Sequence, residues 1–227
     1  MIILLQGADT FSLKERLNFL KESFVKKYKD SAINILEIDS KDFDINKLRS
    51  QMLSGGLFAA KRFIIIKNLL SGQKDKKFLE ELGQTIESLA DDKDNIVILQ
   101  EGNLKTNEVN KKIIDYLTKQ KYSKKFDILA RAQIGQKINK MLVKYKMIID
   151  APAKDLLIER CGSDLWLLNN EMNKLLAFKN FTGKIILGDV DLMTRPGLEE
   201  KVWPLIDALA QRQKSRALKE IENLMAG

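Results

Sequence analysis

The chain has 227 residues, 44% hydrophobic and 31% charged: enough apolar material for one large domain or two smaller ones, and a composition that excludes a disordered chain. Lys and Arg number 39 against 31 Asp and Glu, a formal charge of +8 that favours an acidic partner such as nucleic acid and is spread along the chain, not gathered in a tail. Histidine is absent, which removes imidazole-based triads and most catalytic zinc sites, and the lone Cys161 excludes an internal disulfide framework and suits a reducing cytoplasm.

Ile2-Ile3-Leu4-Leu5, closed by Gly7, reads as a buried strand. It is too short for the core of a signal peptide, and no apolar run reaches the roughly 20 residues that a membrane span needs. From Phe11 to Tyr28 the residues Phe11, Leu13, Leu17, Leu20, Phe24 and Val25 recur near helical spacing, with Asp9 or Thr10 placed to cap the helix. Ile33 to Ile38 reads as a second strand, Asp44 to Leu53 as a short helix, and Phe63 to Ile66 as a third, strongly β-branched strand. Lys76 to Ala90 is helical, Ile96 to Leu99 is a fourth strand, and Thr106 to Lys119 is a helix capped by Thr106. A fifth strand lies near Lys125 to Leu129. This alternation, with short connections, predicts an α/β domain whose parallel sheet is covered by helices on both faces.

Beyond Ala130 the pattern is helical. Ile134, Ile138, Met141, Leu142 and Tyr145 share one face, and Asp150 to Arg160 forms the next helix, where Gly162 suits a left-handed cap. Asp164 to Phe178 carries Leu165, Leu168, Met172, Leu175 and Leu176 on one stripe, and Asp189 to Thr194 adds a turn or two. Arg195-Pro196-Gly197 reads as a linker before two amphipathic stretches, Glu199 to Ala210 and Ser215 to Met225. The expected organisation is an α/β domain over 1–130, a small helical domain over 131–195, and the start of another helical element over 198–227.

An α/β domain followed by a helical one invites a search for a nucleotide site. A phosphate loop needs glycines for close backbone approach, a Lys for the phosphates and a Ser or Thr for magnesium. Gly55-Gly56-Leu57-Phe58-Ala59-Ala60-Lys61-Arg62 comes nearest, but Ala60 and Arg62 stand in the wrong places and the segment precedes a strand. After the first strand, where a working loop belongs, Gly7-Ala8-Asp9-Thr10-Phe11-Ser12 has no glycine-lysine pair. The third strand ends in Lys67-Asn68, where an acidic pair would hold magnesium. Intrinsic ATP hydrolysis, a cofactor and a metal site are therefore not expected. Asp91-Asp92 and Glu80-Glu81 read as solvated, Cys161 as a small filler, and Trp166 and Trp203 as core or domain-contact residues. Leu57-Phe58 is an apolar pair on a Gly55-Gly56 hinge, rimmed by Lys61 and Arg62. A buried contact ahead of the strand and an exposed plug for a partner's pocket both fit those residues.

Three segments together resemble the delta-subunit family of the bacterial DNA polymerase III clamp loader. The first is Gly7-Ala8-Asp9-Thr10-Phe11; the second runs from Gly56-Leu57-Phe58 through Lys61-Arg62 and the apolar strand to Lys67-Asn68. The third, Cys161-Gly162-Ser163-Asp164-Leu165 through Asn169-Asn170-Glu171 to Lys174-Leu175, is the most specific. The resemblance implies an AAA+-like domain without a working nucleotide site, a helical lid, and a collar domain that joins a five-membered ring. It implies that Leu57 and Phe58 enter a hydrophobic pocket on the sliding clamp (the beta subunit), with Gly55, Gly56, Lys61 and Arg62 in support. The implied partners are that clamp, the other loader subunits, and primed DNA held through its phosphates. The implied role is non-catalytic and cytoplasmic, with no membrane contact. In the family the collar continues well past the position of Gly227, so the chain is expected to end within it. Leu129 to Ile134 departs from the aromatic-rich start of the family's lid, which blurs that boundary. Two rivals remain: an ATP-binding protein of the same fold with a degenerate motif, and a stand-alone basic DNA-binding protein.

Overall fold

Phe63-Ile64-Ile65-Ile66 is the most β-branched run in the chain, and it occupies an inner strand of a five-stranded sheet. The computed structural model describes residues 1–28, 35–46, 48, 61–72, 75–90, 95–104, 110–194 and 205–225. The chain divides into two compact units, Met1–Ile128 and Leu129–Gly227.

The first unit contains β1 (Ile2–Gly7), α1 (Thr10–Lys27), β2 (Ile35–Asp39), β3 (Arg62–Lys67), α2 (Leu69–Gly72), α3 (Lys76–Ala90), β4 (Asn95–Glu101), α4 (Lys111–Thr118) and β5 (Lys124–Phe126). The strands lie in the order β2-β3-β4-β1-β5 and every pairing is parallel. Register sets Val97 of β4 between Ile2 of β1 and Ile64 of β3, so alternate residues of the inner strands face the same layer. On one face Ile2, Leu4, Ile64, Ile66, Val97 and Leu99 pack with Leu79, Leu82 and Ile86 of α3 and Ile113, Ile114 and Leu117 of α4. On the other, Ile3, Leu5, Phe63, Ile65 and Ile98 pack with Leu13, Leu17 and Phe24 of α1. Burial on both faces is why these strands read as continuous apolar runs.

The second unit contains α5 (Arg131–Val143), β6 (Ile148–Ile149), α6 (Ala151–Cys161), α7 (Leu165–Phe178), β7 (Lys184–Ile185) and α8 (Leu187–Met193), then helices α9 (205–210) and α10 (Lys214–Met225). The predicted stripe of α7 is fully inward, with Leu165, Leu168, Met172, Leu175 and Leu176 all buried. Asp164 caps that helix, accepting from the Trp166 and Leu167 amides at 2.9 and 3.0 Å.

Three expectations change, and a fourth falls partly outside the described residues. The helical stretch after Ala130 includes a small parallel pair, β6 with β7, whose two-residue strands are too short to leave a period-two signal. Gly162 has φ 55 but ψ −134, a glycine conformation outside the left-handed helical region, while its N–H still bonds the Ile158 carbonyl at 2.9 Å. Trp166 is 42% exposed on the first turn of α7, one position past the buried Leu165, and is not a core residue. The helix predicted from Thr106 is described from Lys111, with Asn110 at its N-cap; Thr106, Trp203 and the Arg195-Pro196-Gly197 linker lie outside the described residues.

Candidate functional site

In open parallel sheets, ligands bind beyond the carboxyl ends of the strands, where helix N-termini present unpaired amides. After β1 the chain turns at Gly7, whose φ of 143 no side-chain-bearing residue adopts readily. A Cβ there would stand 2.0 Å from the Phe126 carbonyl oxygen. This close approach lets the Asp9 amide donate to the same carbonyl at 3.0 Å. Asp9 then caps α1: its Oδ1 accepts from the Ser12 amide at 2.9 Å. The residue is 7% exposed, and Oδ2 is buried without a hydrogen-bond partner. The helix N-terminus that would receive a phosphate thus already holds a carboxylate of the chain's own, which repels a phosphate instead of binding it.

The neighbouring strand ends are closed in the same way. Glu101, at the end of β4, is 1% exposed and accepts from the Leu70 and Ser71 amides of α2 at 2.8 and 3.2 Å. Burial pushes its carboxyl above the usual range, against the lowering effect of those hydrogen bonds. At the end of β3, Lys67 pairs with Glu37 of β2 at 2.6 Å, and Lys21 of α1 pairs with the same carboxylate. The two ammonium groups, Lys21 first, hold Glu37 below the usual carboxylate range. Asn68 follows with φ 56, its amide bonded to the Gln100 carbonyl at 2.9 Å. Among the described residues no group of carboxylates, histidines or cysteines is arranged to hold a metal ion. Cys161 is buried, and burial first, then Glu171 and Asp164, pushes its thiol up to about 12, the opposite of an activated nucleophile.

The predicted plug residues Leu57 and Phe58, with Gly55 and Gly56, lie outside the described residues. Of the supporting residues, Lys61 is half-buried with Nζ 5.7 Å from the Tyr28 ring centroid, and Arg62 opens β3 opposite Asn95. Glu101 and Glu37 were not singled out by sequence reasoning. For Glu101 a signal exists: it stands two residues past the apolar run Ile96-Val97-Ile98-Leu99, and a carboxylate at the end of an interior strand needs donors.

A family model described as "DNA polymerase III, delta subunit" matches residues 3–126, more than half of the chain. The chain belongs to the DNA polymerase III delta-subunit family. No curated protein sequence matches it. Among solved structures it is similar to the Bacillus subtilis DNA clamp loader delta protein (YqeN), with TM-score 0.68 at 21% identity over 99% of this chain and 67% of that one. The Thermotoga maritima RuvB Holliday junction branch migration motor follows with TM-score 0.51 at 12% identity, over 84% of this chain and 60% of that one. At such identities the likeness establishes the fold, an AAA+-like α/β unit followed by helices, and function has to come from the site. In this delta-family chain the place of the phosphate loop is a turn closed by Gly7 and capped by Asp9.

Proposed function

We propose that the chain is a non-catalytic clamp-loader subunit that binds the sliding clamp through Leu57 and Phe58 and opens it for loading onto primed DNA. The observation that carries this reading is the delta-family match, because the matched residues 3–126 contain the whole Gly56–Asn68 segment. The carboxylate of Asp9 at the N-terminus of α1 supports a subunit that works without its own nucleotide.

The mechanism is differential binding. A closed ring opens when a partner binds the opened or strained form better than the closed one, and the shift cannot exceed that difference in affinity. Leu57 and Phe58 supply apolar anchors, Gly55 and Gly56 let the backbone present them, and Lys61 and Arg62 rim the contact. Sister subunits would supply ATP hydrolysis and so time the release. In this reading residues 131–195 form the lid and 198–227 begin the collar that joins the five-membered ring, and the excess of basic residues steadies primed DNA through its phosphates. No helix among the described residues is long and apolar enough to cross a membrane; it is the delta-subunit reading that assigns the work to the cytoplasm.

The test is a titration of the pure chain against its cognate sliding clamp by surface plasmon resonance, with labelled ATP and a primed duplex run in parallel. Saturable clamp binding without nucleotide supports the proposal. Saturable ATP binding that depends on Gly7 or Asp9 favours a degenerate ATPase. Tight, salt-sensitive DNA binding with no clamp affinity favours a stand-alone DNA-binding protein.

A further inference from the structure

The first unit carries a second feature, at the amino ends of its strands, opposite the closed carboxyl ends. An apolar groove of about 620 Å3 runs between the starts of β1, β3 and β4 and the C-terminal half of α1. That volume lies in the range of roughly 300–1,000 Å3 typical of ligand pockets. Ile3, Phe24 and Phe63, each no more than 3% exposed, line its depth. Phe19 and Tyr122, 56% and 39% exposed, form its mouth. Arg16, Lys27 and Lys61 line it as well, and no carboxylate does among the described residues.

The cations are held against aromatic rings. Arg16 Cζ lies 5.3 Å from the Phe19 centroid, and Lys27 and Lys61 lie 5.5 and 5.7 Å from that of Tyr28. Arg16 Nε is buried and has no hydrogen-bond acceptor. An unpaired donor of this kind is costly until an acceptor reaches it, and a carboxylate is the strongest acceptor available.

We propose that this groove docks an acidic peptide segment carrying aromatic or branched aliphatic anchors, contributed by a partner protein. The apolar depth takes the anchors, and Arg16 and Lys27 pair with the flanking carboxylates. A nucleobase fits less well, because Ile3, Phe24 and Phe63 offer no donor or acceptor to its polar edges. A second copy of the chain, with a formal charge of +8, brings the wrong sign. Its test is separable from that of the clamp reading, because Arg16→Gln and Phe19→Ala leave Leu57, Phe58, Lys61 and Arg62 intact.

Fluorescence anisotropy of the full chain against labelled probes tests it. The first probe is an octapeptide of alternating aspartate and phenylalanine; two controls replace all phenylalanines by alanine or all aspartates by asparagine, and a fourth probe is a short oligo-dT. The first probe should bind, with both peptide controls weaker by about tenfold or more. Arg16→Gln and Phe19→Ala should each weaken it by about tenfold with an unchanged melting temperature, because neither side chain is part of the buried core. Three outcomes overturn the proposal: binding untouched by both variants, oligo-dT binding more tightly and being lost in the same variants, or no binding of the first probe because the chain's own residues or another partner fill the groove.

Discussion

Two side chains carry the proposed contact with the clamp. Each large apolar group fully buried in a partner's pocket contributes about 1.5–3 kcal/mol, and interface anchors commonly cost roughly 2 kcal/mol or more on truncation. Replacing both Leu57 and Phe58 by Ala should weaken clamp binding by about 3–5 kcal/mol, a factor of roughly a hundred to several thousand, with the melting temperature nearly unmoved. If they are instead core residues, each change costs roughly 2–5 kcal/mol of stability and leaves clamp affinity intact once the protein is folded. Surface plasmon resonance and a thermal melt on the same variant decide between these. A second prediction concerns Glu101. A carboxyl raised above its ordinary value of 4.5 holds its proton more tightly in the folded state. Its contribution is therefore complete below 4.5 and is lost as pH rises through the folded value. Glu101→Gln cannot ionise, so wild type should lose stability relative to this variant between about pH 4.5 and pH 7.5, measured by urea unfolding. The same stability difference at both pH values, or one of opposite sign, would discard this account. Glu101→Ala, which strands the Leu70 and Ser71 amides, should cost about 1–3 kcal/mol at pH 4.5 and less at pH 7.5, because Ala cannot ionise either.

At the level of elements, Arg160 ties α6 to the end of α8 in the second unit. Arg160, on the last turn of α6, is 9% exposed and reaches the end of α8. Its guanidinium donates to the Val190 carbonyl at 3.1 Å, the Thr194 carbonyl at 2.7 Å, Thr194 Oγ1 at 2.9 Å and the Asp191 carboxylate at 2.6 Å. A cation at a helix C-terminus meets unpaired carbonyls and the negative end of the dipole together. Arg160→Ala should lower stability by about 2–3 kcal/mol, since several charged hydrogen bonds are lost and buried carbonyls are left unpaired. Arg160→Lys should recover less than half of that, because a single ammonium cannot span four acceptors as the planar fork does. Chemical denaturation of the two variants checks both figures; full rescue by Lys would mean that charge alone matters.

For the molecule as a whole, each face of the first unit's sheet is covered by helices from the same unit. Both cores close within Met1–Ile128, and the Leu57-Phe58 segment lies in that span. A fragment ending at Ile128 should therefore unfold cooperatively and keep clamp affinity within about tenfold of the full chain. A fragment that folds but has lost clamp binding would move the clamp contact, at least in part, into residues 129–227.

The sequence by itself determined the parallel α/β unit, because strands buried on both faces must be apolar throughout, and Ile2 to Leu5, Phe63 to Ile66 and Ile96 to Leu99 are. It also determined what is missing. No glycine-lysine pair follows the first strand, and no carboxylate pair ends the third. The stripe of α7 was equally plain, since five apolar residues recur at helical spacing behind Asp164. Tertiary structure alone decided the rest. That Asp9 occupies the anion site of its own helix depends on Gly7 passing close to Phe126, more than a hundred residues away. Glu101 meets the α2 amides, and Arg160 the end of α8, only through folding across some thirty residues. The groove is assembled from the starts of three strands and half a helix, each of which separately reads as ordinary core or ordinary charged surface. Local sequence sets which residues are buried, but which polar group meets which partner depends on contacts that no period along the chain records.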